Sequence, residues 1–136
     1  MGKTLQGQDA PQVDIPALVR ALGIARVREV DPYDVAEVQA VLKEEIAADE
    51  PSVVIATEPC VLEYRIKRPV YAIDPDLCTG CKVCLRAGCT ALSLYKNDAG
   101  EPRVEIDPAV CNGCSVCSQL CRYAAIKPPL ADGKDA

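Results

Sequence analysis

Cys78, Cys81, Cys84 and Cys89 form one run, and Cys111, Cys114, Cys117 and Cys121 form a second; together they take eight of the nine cysteines in a 136-residue chain. The spacings are C-x2-C-x2-C-x4-C and C-x2-C-x2-C-x3-C. A C-x2-C-x2-C loop converges three side chains from one short turn, enough to wrap three corners of an iron–sulfur cube. Each [4Fe-4S] cube needs four thiolates, so the fourth must come from elsewhere. Structural zinc normally uses two separated C-x2-C pairs and has no need of a third cysteine in each run. A disulfide framework suits a small secreted protein, whereas the N-terminus is polar through Gln12 and shows no apolar leader segment. A thioredoxin-type pair needs a single C-x-x-C in a βαβ setting. The absence of histidine excludes Rieske ligation and haem with an axial His.

The two runs belong to an internal repeat. Ile73-Asp74-Pro75-Asp76-Leu77-Cys78-Thr79-Gly80-Cys81-Lys82-Val83-Cys84 aligns with Ile106-Asp107-Pro108-Ala109-Val110-Cys111-Asn112-Gly113-Cys114-Ser115-Val116-Cys117, with eight of twelve positions identical at a step of 33. Such self-similarity marks a duplicated unit. Each unit reads as a strand (Tyr71–Ile73; Val104–Ile106), a cysteine loop, and a short helical turn that delivers the fourth cysteine. Gly80 and Gly113 sit where the loop must turn tightly and bring backbone N–H groups near sulfide, which tunes the reduction potential. The runs resemble those of the two-cluster bacterial ferredoxins, in which the fourth cysteine of one run serves the other cluster. That resemblance implies one cube on Cys78, Cys81, Cys84 and Cys121, and another on Cys111, Cys114, Cys117 and Cys89.

The elements that must carry these loops occupy one ordinary domain or two small ones. The expected architecture is α+β: a partial α/β (βαβ) segment at 1–68, a ferredoxin-like domain with a pseudo-two-fold repeat at 69–128, and a disordered tail at 129–136. The second half is poor in large side chains, with no Phe or Trp in the chain and one Met, so iron–thiolate bonds are expected to hold it. The net charge of −5 argues against a nucleic-acid partner. No run is apolar enough to span a membrane, and free thiolates favour a reducing cytoplasm.

In the first half, Asp14 reads as the cap of a helix with Ile15, Leu18, Val19 and Leu22 on one face and Gly23 as its stop. Ala25–Val30 reads as a strand. Asp31-Pro32 reads as an N-cap with Pro at N1, opening a helix to about Ala48 with a stripe of Val35, Val38, Val41/Leu42 and Ile46. Val53–Ala56 is a second, fully apolar strand. The two stripes are expected to be core packing, and the two strands a parallel pair. One βαβ unit cannot cover both faces of a parallel sheet, so the segment reads as the end of a larger α/β domain or as one completed by a partner. Gly2-Lys3-Thr4 mimics the end of a P-loop but lacks the upstream glycine and strand. Cys60 reads as a buried free thiol. Arg65, Lys67 and Arg68 read as a solvated linker, or as a docking patch on an otherwise acidic protein.

Val13-Asp14-Ile15, Val30-Asp31-Pro32-Tyr33-Asp34, Val53-Val54-Ile55-Ala56, Glu58-Pro59-Cys60 and the two cysteine runs, in that order, resemble the C-terminal end of the large subunit of the indolepyruvate:ferredoxin oxidoreductases, within the 2-oxoacid:ferredoxin oxidoreductases. The resemblance runs from about Thr4 to Ile126. It implies electron transfer through two [4Fe-4S] clusters, other subunits of a 2-oxoacid oxidoreductase as partners, and ferredoxin as acceptor. It implies thiamine diphosphate only through sequence outside this chain, because the G-D-G…N diphosphate motif is absent. The chain departs from the pattern where Pro usually follows the fourth cysteine: Thr90 follows Cys89 and Arg122 follows Cys121. Arg122 is thereby expected to raise the potential of the cluster on Cys78, Cys81 and Cys84, since a fixed cation favours the more negative reduced state. No residue pattern here performs acid–base or covalent catalysis. The alternative is a stand-alone small ferredoxin with an N-terminal docking module.

Overall fold

The structure, a computed structural model, describes residues 3–128; the tail expected at 129–136 lies outside them. Helices and strands are mixed in an α+β arrangement. The chain divides between Glu58 and Pro59 into two compact units. Among the described residues no helix is long and apolar enough to cross a membrane.

In the first unit, helix α1 (Ile15–Ala21) starts where the Asp14 carboxylate accepts the Ala17 N–H at 2.8 Å, filling one of the donors that a helix start leaves open. Strand β1 (Arg26–Val30) and strand β2 (Ser52–Ala56) form a parallel pair, with Val27 opposite Val53 and Val30 opposite Ala56. Helix α2 (Val35–Ile46) makes the crossover between them. Its cap is Asp34, whose carboxylate accepts the Glu37 N–H at 2.9 Å, and not Asp31. Asp31 instead folds onto the Tyr33 N–H at 2.8 Å, a local turn that delays the helix by three residues.

The helix stripes are less buried than their period suggests. Val41 is buried, but Ile15 and Leu18 are each 51% exposed, Leu22 is 74% and Ile46 is 82%. A two-stranded sheet is too narrow to cover both stripes, so the period gives the helices correctly and overstates their packing. What ties α2 to β1 is an ion pair. Arg26 grips buried Glu45 through Nε at 2.8 Å and Nη2 at 3.0 Å, with Arg28 and Glu44 joining at 3.0 Å. The hydrogen bond from Arg26 is the main cause holding the Glu45 carboxyl below its ordinary range, against the opposing effect of burial.

In the second unit, strand β3 (Ala72–Ile73) leads into the first cysteine run, which contains a 3-10 turn over Val83–Ala87. Strands β4 (Leu92–Lys96) and β5 (Pro102–Ile106) follow, then the second run with helix α3 (Val116–Leu120), and last strand β6 (Ile126–Lys127). β4 pairs antiparallel with β5, and β3 pairs antiparallel with β6. The core is small: Cys84, Leu92, Val104, Cys117 and Ile126, with Tyr71, Ile73, Leu85, Ile106 and Cys121 packed against it. Two of these five buried residues are themselves members of the cysteine runs. Cys60, expected to be buried, is exposed. It sits in an irregular stretch at the start of the unit, where no strand or long helix encloses it.

Candidate metal centre

Each cysteine loop is set in place by an aspartate that folds the chain back on itself. The Asp74 carbonyl accepts the Cys78 N–H at 3.0 Å, and the Asp107 carbonyl accepts the Cys111 N–H at 3.0 Å. Their carboxylates accept N–H groups two residues on, from Asp76 at 3.0 Å and from Ala109 at 2.8 Å. Both are Asx turns of the kind short acidic side chains favour. The loops then pass through left-handed backbone at Gly80 and Lys82 in the first and Gly113 and Ser115 in the second. Lys82 and Ser115 occupy matching positions, each directly after the second cysteine. A non-glycine residue there costs roughly 1–2 kcal/mol, and the cost recurs in both loops, as expected of strain that shapes a site.

Strand pairing brings the entry of each cysteine run beside the exit of the other. Ile73 lies opposite Ile126, and Ile106 lies opposite Leu92. Because both pairs are antiparallel, the chain leaving β3 toward Cys78 and the chain arriving at β6 from Cys121 are at the same end of one ribbon. The chain leaving β5 toward Cys111 and the chain arriving at β4 from Cys89 are likewise together. Asp74 N–H donates to the Ala125 carbonyl and Asp107 N–H to the Ala91 carbonyl, each at 2.8 Å, and these bonds clamp the two junctions.

Thiol electrostatics group the side chains in the same way. Burial pushes the Cys84 thiol up, and the neighbouring charges that add to the shift are those of Cys78, Cys81 and Cys121. Burial likewise pushes Cys117 up to about 11, with further contributions from Cys114, Cys111 and Cys89. A cavity is lined jointly by Cys78, Cys81, Cys84 and Cys121 with apolar Ile73, Val104 and Ile126. The Cys121 sulfur accepts the Ala125 N–H at 3.4 Å, the type of backbone contact that stabilises charge on a ligand sulfur. This donor set, four soft thiols in each of two groups with apolar backing, fits iron–sulfur clusters. Among the described residues no group of three or more Cys, Asp or Glu side chains surrounds a single-ion position.

The glycines reveal a feature the sequence reading passed over. A Cβ on Gly80 would stand 2.6 Å from the Pro102 carbonyl oxygen, and one on Gly113 would stand 2.6 Å from the Pro69 carbonyl oxygen and 2.6 Å from Arg68 Cβ. Gly113 follows Gly80, and Pro102 follows Pro69, at the same step of 33 residues. Each loop therefore rests on the strand entry of the opposite repeat. Extending the repeat backwards from Ile73 to the two prolines was the available signal. Gly113→Ala is expected to destabilise the second unit by about 2–4 kcal/mol, from a strained φ and an overpacked contact. Gly80→Ala should cost less, because one of its close neighbours is the movable Arg103 guanidinium. Anaerobic thermal unfolding followed by visible absorption measures both; equal stability of the Gly113→Ala and unmodified chains contradicts the contact.

Of the remaining expected residues, Thr90 and Arg122 are both exposed. Arg65 and Lys67 are exposed as well, but Arg68 turns inward over Gly113 with its Nη1 buried, so the three cations do not make one surface patch.

No family model matches the chain. It is 34% identical over 135 residues to the indolepyruvate oxidoreductase subunit IorA of Pyrococcus horikoshii, an alignment covering 93% of this chain and 20% of that protein. It is 33% identical over 136 residues to the same subunit of Thermococcus kodakarensis, again 93% of this chain and 20% of the relative. The subunit of Archaeoglobus fulgidus matches at 36% identity over 129 residues, 90% of this chain and 20% of the relative. The chain thus spans about one fifth of the length of the curated relatives it matches.

Proposed function

The chain corresponds in sequence to the C-terminal portion of the indolepyruvate oxidoreductase IorA subunits, and we propose that it conducts electrons through two [4Fe-4S] clusters for an oxidoreductase of that type. Cys78, Cys81, Cys84 and Cys121 hold the first cluster in this reading, and Cys111, Cys114, Cys117 and Cys89 hold the second. The observation that supports it is the antiparallel pairing of β3 with β6 and of β4 with β5, which brings the exit of each run beside the entry of the other. When bound, each cluster accepts and releases one electron with little rearrangement.

The protein's own residues hold, orient and shield. The eight thiols would hold iron as thiolates, and Cys84 and Cys117 are the buried members of their sets. Gly80 and Gly113 let each loop seat against the strand entry of the opposite repeat. Leu92, Val104 and Ile126 keep water from the space between the two sets. Arg122, exposed next to Cys121, places a cation beside the first set, whereas Thr90 places none beside the second. The wider reaction belongs to partners in this reading. Other subunits and a thiamine-diphosphate domain outside this chain supply the electrons, and ferredoxin receives them. The two units correspond to an α/β end piece and a ferredoxin-like domain.

Iron and sulfide analysis after anaerobic reconstitution, with EPR of the reduced chain, tests this directly. About eight irons per chain and two magnetically interacting clusters are expected; four irons or fewer contradict two full cubes.

A further inference from the structure

The two cysteine loops arise from one repeat, so a difference in what they show to solvent is informative. Lys82 and Arg86 in the first run match neutral Ser115 and Gln119 in the second, and Arg122 follows Cys121 of the first set where Thr90 follows Cys89 of the second. All three cations are exposed. From Val104 to Cys121 the second loop contains no Lys or Arg at all. The added acids balance, with Asp76 on the first repeat and Glu105 on the second. Of the other nearby cations, Arg103 is paired with Glu101 at 2.7 Å, and Arg68 directs its Nη1 inward.

Each set has one exposed, one buried and two half-buried thiols, so the sets differ in where the exposed thiol lies and not in how many they show. Cys81 is exposed where Cys114 is only half-buried, and Gly80 is half-buried where Gly113 is buried beneath Arg68 and Pro69. In the second set the exposed thiol is Cys89. Lys82 lines the cavity of the first set, Arg122 directly follows its member Cys121, and Arg86 lies two residues past Cys84, so three exposed cations attend this set on a chain of net charge −5. Charges so placed steer a partner and fix its orientation more than they add raw affinity.

We propose that the set of Cys78, Cys81, Cys84 and Cys121 is the outward terminal of this chain, and that Lys82, Arg86 and Arg122 are the docking surface for an acidic electron-carrier protein. The proposal rests on the two-cluster reading above. In each transfer the chain is oxidised by one electron and the carrier is reduced by one; no bond or proton need move. A carrier seated on this face has a short path to the first set, and the second set faces the source of electrons.

The test uses the full, reconstituted chain, reduced with dithionite and mixed in stopped flow with an acidic two-cluster bacterial ferredoxin or with basic cytochrome c. Two triple variants are compared: Lys82→Glu/Arg86→Glu/Arg122→Glu, and Arg20→Glu/Lys43→Glu/Lys96→Glu, which makes the same change of charge at exposed cations outside the cysteine runs. The first is expected to slow ferredoxin reduction about tenfold or more at low ionic strength and to speed cytochrome c reduction, while the second stays within about twofold. Equal effects of the two triples, or no effect of the first, overturn the docking surface. Iron content and EPR are measured first: a chain without two clusters defeats the functional reading itself, and the proposal with it. Should the first triple lose its clusters, the unmodified chain decides. A rate toward the acidic ferredoxin that falls with added salt supports the patch, since two net-negative proteins otherwise gain from screening; a flat or rising rate overturns it.

Discussion

Cys121→Ala will abolish the same cluster as Cys78→Ala, and Cys89→Ala the same cluster as Cys111→Ala. Each single variant should drop iron from about eight to about four per chain, or leave a three-iron form at the affected site, with the EPR signal of the other cluster kept. The double variant Cys78→Ala/Cys121→Ala should lose no more than either single one, because both changes strike one site. The expectation follows from the backbone. β3 pairs with β6 through Ile73 and Ile126, so the first and last cysteines emerge at one end of a two-stranded ribbon. β4 pairs with β5 through Leu92 and Ile106 and does the same for Cys89 and Cys111. A run that supplied its own fourth ligand would instead make Cys121→Ala resemble Cys111→Ala, and that outcome in the EPR spectra would sink the crossed arrangement.

Removing iron will unfold the second unit and leave the first. The second unit's buried core has five side chains, and two of them, Cys84 and Cys117, are thiols whose favoured partners are metal. No large side chain among the described residues is fully buried. β3 and β6 are two residues long each, too short to stand alone. Without metal, two groups of four thiols crowd together with nothing gained in return, and much of the folding free energy of such a unit is the metal-binding free energy. Chelation under anaerobic conditions should therefore collapse amide-exchange protection across Tyr71–Lys127. Protection of α2 and β1 should persist, held by Arg26–Glu45 and the parallel pair. Unchanged circular dichroism and unchanged exchange after chelation would show that the apolar contacts suffice on their own.

These expectations differ in origin. The expected ligand chemistry rests on thiolate spacing, which is local: a triplet at C-x2-C-x2-C has few other uses, and the repeat doubles the signal. The helix begun by Asp14 and the parallel strands were legible for the same reason, since capping and apolar period act within a few residues. The helix expected to start at Asp31 starts at Asp34 instead, because Asp31 is taken up by the Asx turn at Tyr33. Burial was legible least. The stripe of Ile15, Leu18 and Leu22 predicts a helix but cannot say what covers it, and Cys60 is exposed although free cysteines are usually buried.

The eight cysteines in paired runs, by themselves, carried the expectation of two iron–sulfur clusters, because coordination chemistry is written in residue type and spacing. Tertiary structure decided how those thiols are placed and presented. The seating of Gly80 on Pro102 and Gly113 on Pro69, the meeting of Cys121 with the first run, and the exposure of Lys82, Arg86 and Arg122 against the burial of Arg68 Nη1 all depend on which strands pair across the length of the unit. Such pairing is a non-local contact, and no short window of sequence contains both of its partners.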